Sequence, residues 1–252
     1  MILIKQDLKN FYNKNAKKYH ETRKKHREEI DIILNQISLD KKISILEFWC
    51  WWWRFINHVN QKFPNIKINY IWIDLSSNLI KLAKRDNPKN NFICEDITTY
   101  VKNLKQESFD YIIWTESFQH IPTDKERLFL MKNFYRILRY DWKLIMTNRC
   151  LSNWFIKKYY KNILNSILKY IISFWGKSYR DILVPRKSSI KNKEYRFYHM
   201  FSLKELTNLS KLSWFVIKNI WYIQKDFSIS NDRRNARSSI SIVSKKIFNS
   251  TK

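Results

Sequence analysis

The chain alternates short apolar runs with segments whose apolar residues recur at helical spacing. The runs have the length and composition of buried parallel strands. Ser76, Thr123 and Ser202 stand where helix N-caps are expected. Strands that alternate with helices in this way predict βαβ units and a parallel sheet. The five predicted strands are 43–48, 68–74, 91–94, 109–114 and 142–148.

The pattern changes on both sides of this core. Residues 10–36 predict a charged helix, and residues 151–200 form a long basic, aromatic insertion. Two later apolar runs, 215–223 and 240–246, predict a hairpin-like pair that closes the sheet. We expect one α/β domain with a doubly wound, seven-stranded sheet and an antiparallel last strand. Its predicted parts are an N-terminal helical cap (1–40), a ligand-binding core (41–150), a helical basic insertion for the substrate (151–200) and a closing helix with strands (201–248).

Glycine is almost missing from the composition, whereas tryptophan is abundant. The chain has one glycine and eleven tryptophans. At average usage of about 7%, a chain of this length would hold roughly eighteen glycines. Tight turns need residues that accept positive φ angles, and glycine does so at least cost. The positions of the tryptophans therefore carry information about the fold.

The charge is strongly basic, with a formal net charge of +26. It predicts a polyanionic partner, nucleic acid first; an AT-rich genome that inflates Lys, Asn and Ile is the alternative explanation. No signal peptide is visible, and the apolar run 163–175 is too short to span a bilayer. Cys50, Cys94 and Cys150 form no CxxC motif, which indicates a reducing cytosol and no structural metal. We expect a cytoplasmic protein without a membrane partner.

The first predicted strand leads into a loop and a helix, and Asp74 ends the second strand. This order is typical of the cofactor pocket of doubly wound folds. Residues 45–54, ILEFWCWWWR, resemble the first motif of class I S-adenosylmethionine (SAM) dependent methyltransferases when tryptophan is read as glycine. That motif is hydrophobic-L-(D/E)-x-G-C-G-x-G-(R/K). The resemblance implies a Rossmann-like fold and SAM as the cofactor.

Tryptophan stands for glycine in other motifs of the same family. Residues 71–74 (IWID) resemble V-G-x-D, residues 138–144 (LRYDWKL) resemble L-x-x-G-G-x-L, and residues 212–215 (LSWF) resemble an A-G-F segment. We interpret the tryptophans as UGA codons that the source lineage reads as glycine. The alternative is a decayed pseudo-enzyme, in which substitutions would be scattered. The tryptophans that coincide with family glycines are Trp49, Trp51, Trp53, Trp72, Trp142, Trp214 and Trp221.

The resemblance implies a cofactor site at the ends of the first four strands. Asp74 would accept hydrogen bonds from the ribose hydroxyls, and Asp96 would accept one from the adenine amino group. Helix capping is the alternative role for both acids. The implied cofactor-binding residues are Glu47, Trp49, Cys50, Trp51, Trp53, Asp74, Leu75, Asp96, Ile97 and Thr115.

Three segments resemble the tRNA wobble-uridine carboxymethyl methyltransferases. Residues 11–23 (FYNKNAKKYHETR) are similar to Y-D-x-I-A-x-x-F-x-x-T-R, residues 181–185 (DILVP) to D-x-x-V-P, and residues 196–201 (RFYHMF) to R-Y-Y-H-x-F. Phe197 replaces the family's first tyrosine, and Arg186 stands where the family has tryptophan. The resemblance implies tRNA as the substrate and, from eukaryotic members, a small protein activator.

That family esterifies a carboxymethyl group, which is already anionic near neutral pH. Methyl transfer to it needs no general base, and alignment of the reacting atoms supplies most of the acceleration. Arginine would hold the acceptor through forked hydrogen bonds. The candidate catalytic residues are His120, Arg196 and Tyr198, and the candidate substrate-binding residues are Arg23, Arg196, His199 and Arg237.

Two other functions remain open at this stage. A small-molecule methyltransferase, acting on a quinone precursor or another metabolite, would share the core without needing the basic insertion. A catalytically silent RNA-binding protein would keep the fold with a filled cofactor pocket. Salt-dependent binding of tRNA would favour the tRNA methyltransferase over the small-molecule enzyme. Binding of SAM would separate either enzyme from the silent RNA-binding protein.

Overall fold

The structure is a computed structural model that describes residues 2–22, 28–38, 42–48, 55–172, 178–185 and 195–246. A mostly parallel sheet lies between two layers of helices. The helices are α1 (Ile2–Thr22), α2 (Glu28–Leu34), α3 (Phe55–Lys62), α4 (Ser77–Asp86), α5 (Ile97–Asn103), α6 (Asp124–Ile137), α7 (Asn153–Ile172) and α8 (Leu203–Leu212). The strands are β1 (Lys42–Phe48), β2 (Lys67–Asp74), β3 (Asn91–Cys94), β4 (Phe109–Thr115), β5 (Leu138–Asn148), β6 (Asp181–Pro185), β7 (Tyr195–His199), β8 (Val216–Gln224), β9 (Ile229–Ser230) and β10 (Ala236–Lys245).

The main sheet has eight strands in the order β3-β2-β1-β4-β5-β10-β8-β9. Strands β1 to β5 run parallel to one another, and β10 is antiparallel to both β5 and β8. This arrangement confirms the predicted doubly wound α/β fold with an antiparallel last strand. The eighth strand is the two-residue β9, which extends the predicted seven-stranded sheet at its edge.

The strand order reverses direction between β1 and β4. The carboxyl ends of β1, β2, β4 and β5 therefore meet at one edge of the sheet, and a crevice opens at that reversal. Ligands of doubly wound folds bind in this position. The fold thus places Glu47, Asp74 and Thr115 along the same edge.

The predicted N-caps are confirmed. Ser76 accepts a hydrogen bond from the backbone N–H of Leu79 at 3.2 Å, and Ser202 accepts one from that of Glu205 at 3.2 Å. Thr123 likewise accepts from the backbone N–H of Glu126 at 3.2 Å. These side chains begin α4, α8 and α6, the helices that flank the crevice.

Several elements differ from the sequence prediction. Of the helix expected over 10–36, the described residues form α1 and α2, and α1 begins before residue 10. Helix α5 was not predicted, because only Ile97 and Val101 bury apolar side chains in its seven residues. The insertion is more than helical: after α7 it forms the antiparallel hairpin of β6 and β7.

Two buried clusters fill the space on either side of the sheet. One joins the sheet to α5, α6 and α8, and the other joins it to the first four helices. Trp114 belongs to the first cluster and Trp72 to the second, and both indoles are fully buried. Among the described helices, none is both long and apolar enough to cross a membrane.

Candidate active site

The first wall of the crevice is formed by the end of β1. Glu47 is fully buried there, and the Tyr70 hydroxyl of β2 donates a hydrogen bond to its carboxylate. The segment after β1 contains four of the predicted cofactor residues. Those four, Trp49, Cys50, Trp51 and Trp53, lie outside the described residues.

Asp74 ends β2 at the same edge of the sheet. Its carboxylate accepts a hydrogen bond from the backbone N–H of Ser76 at 2.7 Å, while Ser76 itself caps α4. Burial raises the pKa of Asp74 to about 7. Because Ser76 fills the capping role, the alternative interpretation of Asp74 as a helix cap does not hold. A buried carboxylate at the end of β2 fits the ribose hydroxyls of SAM, and Leu75 beside it is half-buried.

Asp96 has the capping role that the sequence analysis gave as the alternative, and its contact with the adenine amino group stays a prediction. Its carboxylate caps α5 by accepting from the backbone N–H of Thr98 at 2.7 Å, and it pairs with Lys5 of α1 at 3.1 Å. Burial opposes ionisation, but the hydrogen bond from Thr98 and the charge of Lys5 hold the pKa of Asp96 below its ordinary value. Ile97 and Thr115, also predicted to contact the cofactor, are buried next to the same edge.

His120 lies in the short 3-10 helix Phe118–His120 after β4 and is almost completely buried. Its Nδ1 lies 2.7 Å from the carbonyl oxygen of Phe197 and its Nε2 lies 3.2 Å from the Tyr12 hydroxyl. A carbonyl only accepts, so Nδ1 carries the proton and Nε2 accepts from Tyr12. Burial, together with the charges of Arg196 and Arg149, lowers the pKa of His120 to about 3. The imidazole is neutral and both of its nitrogens are engaged.

Arg196 of β7 lies among aromatic rings contributed mainly by α1. Its guanidinium carbon is 5.2 Å from the ring centre of Phe11 and 5.2 Å from that of Tyr198, and one N–H donates to the Tyr19 hydroxyl at 3.3 Å. Tyr198 also packs on His120, with 4.8 Å between ring centres. The predicted catalytic residues His120, Arg196 and Tyr198 are thus brought together. We call Arg196 with Phe11, Tyr19 and Tyr198 the arginine cage.

Two charged residues of this region are not among the predicted site residues. Arg149 directly follows β5, and its guanidinium forms an ion pair with Glu116, which follows β4. Although burial opposes its charge, Glu116 raises the pKa of Arg149. Glu116 adopts a φ of 52°, a left-handed conformation that turns the chain from β4 toward His120. Position immediately after a parallel strand was the one signal that could have found them.

Two predicted substrate-binding residues lie elsewhere. His199 is next to Tyr198 in β7, so its side chain points to the opposite face of the strand. Its imidazole is held between Asp181, at 2.6 Å, and Glu205, at 2.5 Å, and lines a separate cavity of about 490 Å³. Arg237 pairs with Glu29 at 3.3 Å. Arg23, the third such residue, lies outside the described part of the chain.

Comparison with known proteins agrees with this geometry. Residues 54–146 match the family described as methyltransferase domain. That range includes α3 and ends in β5. No curated protein matches the sequence of the chain.

Solved structures share the fold at low sequence identity. A SAM-dependent methyltransferase from Methanosarcina mazei is 20% identical with a TM-score of 0.64, over 86% of this chain and 98% of that one. A complex between the Haloferax volcanii Trm112 methyltransferase activator and a methyltransferase matches at 8% identity and a TM-score of 0.62, over 97% and 99%. A TehB-like SAM-dependent methyltransferase from Corynebacterium glutamicum is 12% identical with a TM-score of 0.59, and the match covers 94% of this chain and 97% of that one.

Residues 54–146 carry a methyltransferase domain, and the chain shares its fold with SAM-dependent methyltransferases; the protein is an enzyme with this activity, and SAM is its cofactor. The predicted fold, enzyme class and cofactor are confirmed.

Proposed function

We propose that this methyltransferase esterifies the carboxymethyl group of a wobble uridine in cytoplasmic tRNA. The observation that carries the proposal is the arginine cage. It places a buried cation next to the edge of the sheet where the cofactor of this fold binds. An anionic methyl acceptor is the ligand that such a cation favours.

Arg196 is suited to hold a carboxylate that arrives from outside. Within the described residues, the groups that raise its pKa against the opposing effect of burial are tyrosines, and no carboxylate pairs with it. Its Nε is buried without a hydrogen-bond partner among those residues. A guanidinium binds a carboxylate through two parallel N–H···O bonds, and an unsatisfied buried donor is costly. A carboxymethyl acceptor would satisfy that donor.

The neighbours of Arg196 fit a reaction without proton abstraction. When bound, SAM supplies an electrophilic methyl group. A carboxylate acceptor would need no base, because it is ionised at neutral pH; its oxygen would bond to the methyl carbon as the carbon–sulfur bond breaks, with S-adenosylhomocysteine as the leaving group. His120 has a pKa of about 3 and engages both ring nitrogens, so it orients Tyr12 and the backbone of Phe197 rather than acting as a base. Tyr198 packs on both His120 and Arg196 and acts as a positioning residue.

The basic charge supports tRNA as the carrier of this acceptor. A net charge of +26 provides the electrostatic attraction that nucleic-acid binding requires. In this proposal residues 151–200 contact the substrate, with Arg23, His199 and Arg237 as further candidates. The Haloferax volcanii methyltransferase of similar fold is in complex with the activator Trm112, which supports a small protein partner for this chain as well.

The test is methyl transfer from radiolabelled SAM to tRNA that carries carboxymethyluridine, with the digested nucleosides identified by mass spectrometry. We expect a methyl ester on the wobble uridine, and Arg196→Gln should form it about 10- to 100-fold more slowly while SAM binding persists. Unmodified tRNA is the control, since it lacks the carboxylate. Failure of the wild-type enzyme to label the carboxymethyl tRNA, with SAM bound, contradicts the proposal.

A second cavity favours a different acceptor and defines the alternative function. It has a volume of about 440 Å³ and is lined by residues of α1, α7 and the hairpin, among them Ile4, Asn165 and Phe197. This volume is in the range of small-molecule sites. A quinone precursor or another metabolite is the acceptor in this alternative. Methylation of such compounds, together with no transfer to tRNA at low salt, would establish it.

We further propose that tryptophan at the family's glycine positions reflects a UGA codon read as glycine. Trp214 supports this, because it adopts a φ of 65° and is 59% exposed at the turn before β8. Glycine adopts that conformation without strain, whereas a bulky residue does not. Sequencing the gene, and measuring the mass of the peptide that contains position 214 from native cells, tests this. TGA codons with a glycine mass support it, and TGG codons overturn it.

A further inference from the structure

Helix α7 carries a second apolar face that none of the other described elements covers. Its inner face packs Phe155 and Ile163 on the hairpin of β6 and β7. Its outer face presents large apolar side chains three or four residues apart, a spacing that aligns them on one side of a helix. The side chains that are between 53% and 77% exposed on this face are Tyr160, Leu164, Leu168, Ile171 and Ile172.

The direction of the outer face is fixed by polar contacts on the inner side. The Asn162 side chain donates to the backbone carbonyl of Leu183 at 2.9 Å. The Ser166 hydroxyl donates to the carbonyl of Asp181. Because the helix is tied to β6 at two successive turns, it cannot roll to bury its outer side chains without breaking these bonds.

The charge of α7 limits what could cover this face. Lysines at 157, 158 and 161 are exposed, and no Asp or Glu occurs between Asn153 and Ile172. A second copy of the helix would therefore bring lysine against lysine. RNA would satisfy the lysines but would leave the leucines and isoleucines in water. The occupant must be apolar and anionic at once.

We propose that the outer face of α7 binds the surface of an anionic lipid bilayer. The leucines and isoleucines would enter the boundary between head groups and acyl chains, and the lysines would contact acidic head groups. Trp154, 46% exposed at the start of the helix, has the amphipathic ring that this boundary favours. The inference is independent of the proposed function, and it departs from the sequence-based expectation of no membrane partner.

The test is flotation of the full chain with vesicles of phosphatidylcholine alone or with added phosphatidylglycerol. We expect binding to the anionic vesicles, which weakens as salt rises. The triple variant Leu164→Gln, Leu168→Gln, Ile171→Gln should lower the partition coefficient by about tenfold or more, because three apolar side chains no longer enter the lipid. Circular dichroism checks that each variant folds.

A matched control variant replaces three exposed apolar residues outside α7 by glutamine in the same way. Its substitutions are Leu212→Gln, Val216→Gln and Ile229→Gln. It should bind vesicles like the wild type. Equal binding of wild type and α7 variant overturns the proposal, as does wild-type binding that does not depend on anionic lipid. Unchanged vesicle binding combined with loss of tRNA binding in the α7 variant would instead assign this face to RNA.

Discussion

His120 and Arg196 show how burial sets opposite charge states at neighbouring side chains. Burial is the largest influence on both pKa values, and at His120 it prevails, so the imidazole is neutral. At Arg196 the surrounding tyrosines outweigh it and raise the pKa. Neither group changes its charge near neutral pH. The cage therefore offers an acceptor a constant single positive charge.

Arg196 should matter for the acceptor and not for the cofactor. The substitution Arg196→Lys replaces the guanidinium by an ammonium group and removes the paired hydrogen bonds to a carboxylate. Arg196→Gln removes the positive charge as well. Hydrogen bonds to charged groups contribute about 1.5–3 kcal/mol, so kcat/KM for the acceptor should fall about 10- to 100-fold. The Kd for SAM should stay the same.

Steady-state kinetics with varied acceptor, and calorimetry with SAM, measure the two effects separately. Lys132→Gln is a control for lost charge, since Lys132 lies against Trp214 and away from the cage. An Arg196→Gln enzyme with unchanged acceptor kinetics would contradict the assignment.

Asp74 predicts a pH dependence of cofactor binding. Its pKa is raised to about 7, so the carboxyl takes up a proton as the pH falls through that value. The ribose hydroxyls then lose their ionised acceptor. The Kd for SAM should be constant above pH 7 and rise as the pH falls below 7, by up to tenfold per pH unit. Isothermal titration across this range measures it, and Asp74→Asn should bind weakly with no such slope.

At the scale of elements, helix α1 connects parts of the site that are distant in sequence. Lys5 forms an ion pair with Asp96, and the Tyr12 hydroxyl forms a hydrogen bond with His120. The side-chain carbonyl oxygen of Asn13 accepts a hydrogen bond from the Ser76 hydroxyl at 2.7 Å. The resemblance of residues 11–23 to a family motif thus corresponds to contacts with both the cofactor side and the acceptor side.

His199 ties the hairpin to α8 and should make stability depend on pH. Burial opposes its charge, but hydrogen bonds to Asp181 and Glu205 raise its pKa above the ordinary 6.5. The folded state therefore binds the proton more tightly than the unfolded state. This stabilisation is fully present below about pH 6.5 and is lost as the pH rises through the raised pKa. Urea unfolding at several pH values measures it, and His199→Gln should remove that part of the pH dependence.

Trp214 predicts a stabilising substitution in the turn between α8 and β8. Relief of the left-handed strain contributes about 1–2 kcal/mol, and the loss of the exposed contacts with Lys132 and Tyr135 offsets part of it. Trp214→Gly should raise the free energy of unfolding by roughly 0.5–1 kcal/mol. Trp154→Gly, in the first turn of α7 and before the kink at Tyr159, should lower it by about 0.5 kcal/mol. Equal losses in both variants would contradict the strain argument.

The elements divide into those that local patterning predicts and those that tertiary contacts create. Five parallel strands and three capped helices follow from apolar runs and capping residues, and the end of β2 fixes Asp74. Helix α5 and the hairpin of β6 and β7 carry little periodicity of their own and are held by packing. The Arg149–Glu116 ion pair joins residues 33 positions apart in the printed sequence, so no local pattern announces it.

For the whole molecule, the net charge of +26 predicts that salt should govern substrate binding. A protein that makes about 6–10 phosphate contacts loses roughly 10³- to 10⁵-fold in affinity between 50 and 200 mM salt. The affinity for tRNA should fall steeply over this range, whereas the Kd for SAM should change little. Filter binding at several salt concentrations measures the slope. A flat slope would favour the small-molecule alternative.

The position of α1 across the crevice has a thermodynamic consequence. One rigid element supplies groups to the cofactor side through Lys5 and Asn13 and to the acceptor side through Tyr12 and Tyr19. A ligand that fixes the helix on one side prepares the other side as well. The two substrates should therefore bind with positive heterotropic cooperativity, and by reciprocity each must strengthen the other by the same factor.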